Sequence, residues 1–204
     1  CKRSATGDRD SDGPGGNRGS DQMLNNIFRY RGATLTTFAA EAGAAAFFVI
    51  SGSGSRTRTV RKIRVSGIHL TTLAVLSIVA EKWGTAAFTG GTATTLTRTP
   101  LDSAYPAAQT DGLVQVYTAA PTEGTLVGTL ANRRVIAKST TVVDGAEFAD
   151  VEFDFTDSAF DVPNQPSGVP LHGTSQSLSL AFAADPASAV TMSLEVEWAE
   201  GAGP

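Results

Sequence analysis

Apolar and polar side chains alternate over several short stretches of this chain. Val151, Phe153 and Phe155 are interleaved with Glu152, Asp154 and Thr156. Leu178, Leu180 and Phe182 are interleaved with Ser177, Ser179 and Ala181, and Met192, Leu194, Val196 and Trp198 with Ser193, Glu195 and Glu197. A repeat of two sends one set of side chains to a core and the other to water or a partner, as in a half-buried β-strand. Further strands are predicted over 34–40, 45–51, 59–66, 70–81, 94–99, 113–118 and 125–137. Turn-forming clusters separate them, among them Gly52-Ser53-Gly54, Gly90-Gly91, Pro121-Thr122-Glu123-Gly124 and Pro163-Asn164-Gln165-Pro166. Short strands with regular turns predict an all-β fold, an antiparallel, jelly-roll-like β-sandwich, and argue against a βαβ fold.

Two segments read ambiguously. The run from Phe38 to Val49 is rich in Ala, the best helix former, but Gly43 interrupts it. The expectation is two strands joined by a turn at 41–43. Between Leu70 and Glu81 the apolar positions satisfy neither period cleanly. The first 21 residues carry no large apolar side chain and are dense in Gly, Asp and Arg. Such a segment cannot bury enough surface to offset the entropy of ordering it. The organisation expected is an extended N-terminal arm over 1–24 and a β-sandwich domain over 25–204.

Composition narrows the classes. High Thr, Ala, Gly and Val with modest Leu, Lys and Glu favours strands and turns over helices. A net charge of −4 disfavours a general role on nucleic acid. No apolar run reaches the length of a membrane-spanning helix. With Cys1 as its one cysteine, the chain can form no internal disulfide and holds no Cys/His zinc cluster. A lipid-modified Cys1 on a polar tether is one reading of the first residue; a cut start is the other.

Candidate chemistry is sparse. A serine triad needs a histidine, and the two available are His69, beside a strand, and His172, in a Pro-Leu-His-Gly turn. Both are expected to be hydrogen-bonded scaffold residues. Ser51-Gly52-Ser53-Gly54-Ser55 lacks the Gly-x-Ser-x-Gly spacing of a nucleophile elbow and reads as a flexible hairpin loop. No phosphate-cradling or dinucleotide-binding glycine motif occurs, so no cofactor is expected. Asp8, Asp10, Asp12 and Gly13 match the first half of a calcium loop, but Gly19 stands where the bidentate Glu belongs and Asp21 comes two residues later. A basic group, Arg56, Arg58, Arg61, Lys62 and Arg64, runs along one predicted strand and its approach. An acidic group, Asp150, Glu152, Asp154, Asp157 and Asp161, runs along another. Each reads first as the wet face of a strand, and second as a pair of complementary surfaces through which copies could meet.

The chain from about Gly32 to Glu200 resembles small β-rich structural proteins of tailed bacteriophages: head decoration or cement proteins, head fibres and tail-associated components. The likeness is carried by Arg61-Lys62-Ile63-Arg64-Val65-Ser66-Gly67, Gly90-Gly91-Thr92-Ala93-Thr94 and Pro100-Leu101-Asp102-Ser103 with Ala107-Ala108. Val116-Tyr117-Thr118-Ala119-Ala120-Pro121-Thr122 and the closing Leu194-Glu195-Val196-Glu197-Trp198-Ala199-Glu200 complete it. The resemblance implies a non-enzymatic virion protein at the capsid surface or tail. Its partner would be the major capsid protein or another virion protein. It would form a homo-oligomer, a trimer being the first expectation, and bind neither nucleic acid nor membrane. A tail, baseplate or fibre component is the alternative within that class. A bacterial surface lipoprotein or carbohydrate-binding module is the alternative outside it.

Overall fold

The computed structural model describes residues 27–40, 45–84, 88–139, 148–156 and 167–201. The arm at 1–24 with Cys1 and the calcium half-loop at Asp8, Asp10 and Asp12 lies outside these residues. So do the turn at 41–43, the 163–166 cluster, Asp157 and Asp161. Among the described residues there are thirteen strands and no helix, so no helix is present that could cross a membrane. The first seven strands are β1 (Phe28–Ala33), β2 (Phe38–Ala40), β3 (Ala46–Ser51), β4 (Arg58–Leu70), β5 (Ala74–Trp83), β6 (Thr92–Thr95) and β7 (Thr97–Pro100). The other six are β8 (Val114–Ala119), β9 (Leu126–Ser139), β10 (Ala149–Asp154), β11 (Val169–Leu171), β12 (Ser177–Phe182) and β13 (Val190–Glu200).

The fold is all-β. One layer runs β6-β8-β3-β12-β5-β9 and the other β4-β13-β1-β7, with β10 and β11 on the second edge of β4 and β2 on β13. The two layers are joined into one nearly closed ladder. On one side two parallel pairs, His69 with Lys138 and Leu70 with Ser139, link β4 to β9. On the other, β6 passes into β7 through Leu96 alone, whose N–H donates to the Val114 carbonyl at 2.9 Å and whose side chain is buried. The stretch predicted as a single strand over 94–99 is this corner. It belongs to both layers.

One apolar cluster fills the space between the layers. Tyr30, Ile63, Val65, Phe153, Leu194, Val196 and Trp198 meet Phe48, Ile50, Ile78, Leu178 and Leu180. The inward residues of β12 and β13 are those the alternation assigned. Trp198 is fully buried and stacks on Tyr30 with ring centroids 5.8 Å apart. A smaller cluster of Ala46, Val49, Trp83, Phe88 and Tyr117 covers the outside of β3 and β5. β3 is therefore buried on both faces, and a bulge in its pairing with β12 leaves Phe47 as an extra residue that joins Phe48 in the main core. Burial on two faces removes the alternation from β3 and from the second half of β5. That explains the weak periodicity of both segments, and β3 shows tertiary context overriding the helical propensity of its Ala-rich approach.

Bulges shape other strands. Gly67, at φ 66°, is the extra residue of β4 against both β10 and β13, a backbone state that glycine adopts without steric cost. Arg61 is a second extra residue of β4 against β13. In β9 the ladder with β5 is broken twice, at Leu130 and at Val127. β1 and β11 were not foreseen. The inward row of β1 is Phe28, Tyr30 and Gly32, of which Phe28 is only half-buried, and Gly32 admits the Val196 and Trp198 side chains. β11 has three residues around Pro170, tolerated because it lies at an edge of β4. Leu70–Glu81 divides, since β4 runs on to Leu70 and β5 starts at Ala74.

Replacing Trp198 by Ala removes the largest fully buried side chain and should cost about 3–5 kcal/mol. Denaturant unfolding of the variant checks this; an unchanged midpoint would place Trp198 outside the core.

Candidate functional site

The outer face of β1, β13, β4 and β10 carries charge in columns. Strand register sets Glu195 opposite Arg64, Glu197 opposite Lys62, and Arg64 and Lys62 opposite Glu152 and Asp154. β1 adds Arg31, which pairs with Glu195. The stripes thus run basic, acidic, basic, acidic across neighbouring strands. Lys62 Nζ lies 3.1 Å from Glu152 and 3.4 Å from Asp154, Arg64 contacts Asp150 at 2.6 Å, and Arg61 approaches Glu197 at 3.8 Å. The hydrogen bond to Glu152, then that to Asp154, holds the Lys62 ammonium above its ordinary pKa. The Thr156 hydroxyl and N–H, with Lys62, hold Asp154 below its own. Lys62 and Arg64 of the basic group therefore meet Asp150, Glu152 and Asp154 of the acidic group within one chain, because β10 pairs with β4. A shallow charged groove of about 260 Å³ runs between these columns.

Arg58 departs from the surface face altogether. Its side chain and that of Glu200 are both fully buried, and the two stand directly opposite in the β4–β13 ladder. Arg58 Nε donates to Glu200 Oε1 at 3.0 Å, Nη1 to the Ser51 carbonyl at 2.9 Å and Nη2 to the Gln109 carbonyl. Glu200 also accepts from Trp198 Nε1 at 3.2 Å and from the Gln109 N–H at 3.1 Å. Arg98 donates to the carbonyls of Gln109 and Gly112. A Cβ on Gly112 would overlap the Gly52 carbonyl and the Arg58 guanidinium, so glycine is what lets the loop close on the pair. Arg56 completes the cluster, 4.0 Å from Glu200 and 5.2 Å from the centre of the Phe28 ring. A buried ion pair holds only when its remaining donors and acceptors are occupied, and here two carbonyls, an indole N–H and a backbone N–H occupy them.

The Ser51–Ser55 loop belongs to this network and is not a free hairpin. Ser51 and Ser53 are buried, and Asp111 accepts from the Ser53 hydroxyl at 3.1 Å and from the Gly54 N–H at 2.7 Å. Burial works to raise the Asp111 pKa, but these hydrogen bonds outweigh it and hold the carboxyl below its ordinary range. His172 Nδ1 lies 3.1 Å from the Thr57 hydroxyl, and His69 Nδ1 2.8 Å from the Gly67 carbonyl, to which it donates. Asp111 is thus hydrogen-bonded to a serine and not to a histidine, an arrangement unlike a triad, in which the acid orients the histidine. No group of three or more metal-ligating side chains occurs among the described residues.

The sequence-based reading missed Glu200, Arg98, Gln109 and Asp111 as members of one cluster. A signal for Glu200 was present: it continues the inward parity of Met192, Leu194, Val196 and Trp198. Comparison with protein-family models, curated proteins and solved structures finds no match.

Glu200→Ala strands a buried guanidinium and should destabilise the fold by about 3–5 kcal/mol, whereas replacing Arg58 and Glu200 together by Met and Leu should restore only part of the loss, because the Ser51 and Gln109 carbonyls and the Trp198 and Gln109 N–H groups then lose their partners. Denaturant midpoints of the two variants decide this. Glu81 gives a pH-dependent case. Burial first, and Glu123 second, raise its pKa above the ordinary 4.5, so its stabilising protonated form is complete below that value and is lost as pH rises through the folded pKa. Glu81→Gln should therefore raise the melting temperature at neutral pH, and the gap to wild type should close near pH 4.

Proposed function

We propose that the chain is a structural component of a tailed-bacteriophage particle, a capsid decoration or cement protein that stabilises the major capsid lattice by burying surface against it. The observation that carries this reading is an exposed apolar cluster on the paired strands β5 and β9. Val75 and Ile136 stand directly opposite each other on their outer face at 68% and 61% exposure, with Leu73 exposed just before β5. Leu126 and Val127 form a separate exposed apolar pair at the other end of β9, with exposed Asn132, Arg133 and Arg134 between. A free monomer gains nothing from exposing large apolar side chains side by side, and a cluster of them marks contact with another macromolecule.

The committed charges point the same way. Arg58 and Glu200 pair inside the fold, and on the striped face Lys62 and Arg64 are paired with Glu152, Asp154 and Asp150, so these charges are not held ready for a partner. An arm of some twenty residues could add much of the roughly 1,000 Å² that a specific contact needs. The arm would lie across neighbouring capsid subunits while the β-domain projects outward.

The purified chain should bind phage heads that lack it, to a fixed stoichiometry in sedimentation. Ile136→Glu should weaken that binding at least tenfold, deletion of residues 2–21 should abolish it, and both variants should keep wild-type circular dichroism. Undiminished binding by both variants would defeat the reading, and an electron-microscopy map of the particle would separate head from tail.

A further inference from the structure

Every arginine and lysine of β4 has an acidic partner: Arg58 pairs with Glu200, Arg61 with Glu197, Lys62 with Glu152 and Asp154, and Arg64 with Asp150. The cations of β9 differ. Among the described residues, Arg134 and Lys138 form no ion pair and no side-chain hydrogen bond. They stand two residues before and two residues after Ile136, so the three share one face of the strand at steps of about 7 Å. Val135 and Ala137 between them are buried on the other face. Arg133 lies on that other parity and is not part of the row.

Neighbouring strands complete the patch. The β5–β9 ladder sets Val75 opposite Ile136 and Ser77 opposite Arg134, and the β4–β9 pair sets His69 opposite Lys138. The exposed Phe148 ring lies against His69 with centroids 4.8 Å apart. The apolar cluster is thus framed along β9 by a cation at each end. In water those cations are solvated at no cost. A partner that covers Val75 and Ile136 strips water from them, and a charge that loses water without gaining a counter-charge opposes binding.

We propose that the surface which covers this cluster is an acidic protein surface, presenting carboxylates to Arg134 and Lys138 on either side of an apolar contact with Ile136. The proposal rests on the reading that the cluster is the lattice contact, and adds the chemistry of the partner. A second copy of the chain is a poor complement, because the acidic columns it would offer, with Glu152, Asp154 and Glu195, already hold their own cations. An anionic bilayer is negative over its whole area and repels a chain of net charge −4 everywhere except at this row. A folded partner can confine its acids to the two places that need them, which sets register and speeds encounter.

Sedimentation of the full-length chain with phage heads that lack it, over a salt series, is the test. Wild-type binding should weaken several-fold as salt rises, since exposed charges are screened. Arg134→Gln combined with Lys138→Gln should weaken binding at least fivefold at low salt and remove most of the salt dependence. Lys62→Gln, at a cation already paired within the chain, should change binding less than twofold. Arg134 is exposed, so Arg134→Gln alone carries the test where circular dichroism shows the double variant poorly folded. Equal binding by wild type and the folded Arg134 and Lys138 variants, with Ile136→Glu still impaired, would overturn the acidic partner and leave the lattice contact standing. Heads that do not bind the wild type would overturn both. Binding to vesicles of equal phosphatidylglycerol and phosphatidylcholine, lost in the same variants and absent with heads, would put a bilayer in the partner's place. Self-association without heads, lost in the same variants, would put a second copy there.

Discussion

β4 is the strand on which the architecture depends. Its thirteen residues pair with β13 along one edge, and with β11, β10 and the end of β9 in turn along the other. No single straight strand could serve so many neighbours. The extra residues at Arg61 and Gly67 let β4 change its twist twice, so that one edge addresses three partners lying in different directions. The continuity of the ladder between the two layers follows from this, and so does the charge striping, since β10 and β13 bring their acids to either side of the same basic strand.

The opposite problem is solved at the other end of β4. A guanidinium at a core position would ordinarily be intolerable, yet Arg58 stands where its cross-strand neighbour is Glu200 and where Ser51 and Gln109 present carbonyls. Register and satisfaction are linked here: a slip of one residue between β4 and β13 would separate the charges inside an apolar surround. The pair therefore specifies the register of the central ladder as much as it stabilises it.

Much of the fold was legible because β10, β12 and β13 each have one apolar and one polar face, and the period of two survives in the text. β3 and β5 were less legible for a physical reason, since a second small core on the outside erases the contrast between their faces. β1 was hidden because glycine ends its short inward row, where the Val196 side chain far along the chain comes closest. Arg58 was assigned to a wet face with its basic neighbours, although the parity of Trp198 and Glu200 placed an acid on the inward side of β13. A charged residue on the apolar parity of one strand implies an opposite charge on the apolar parity of its neighbour, and both were present. What no local pattern could supply was that β10 would pair with β4, which turned two apparently complementary surfaces into one neutralised face.

The two interruptions of β9 bear on what its open edge could do between molecules. Among the described residues nothing pairs with the second edge of β9 before Lys138, and a smooth edge of that length would be a template for runaway polymerisation. The extra residues at Val127 and Leu130 put the backbone donors and acceptors of that edge out of step. Arg133, opposite the core residue Ile78 yet exposed, places a cation where an incoming strand would have to settle. The molecule can thus be packed densely beside its own kind without zipping into fibres.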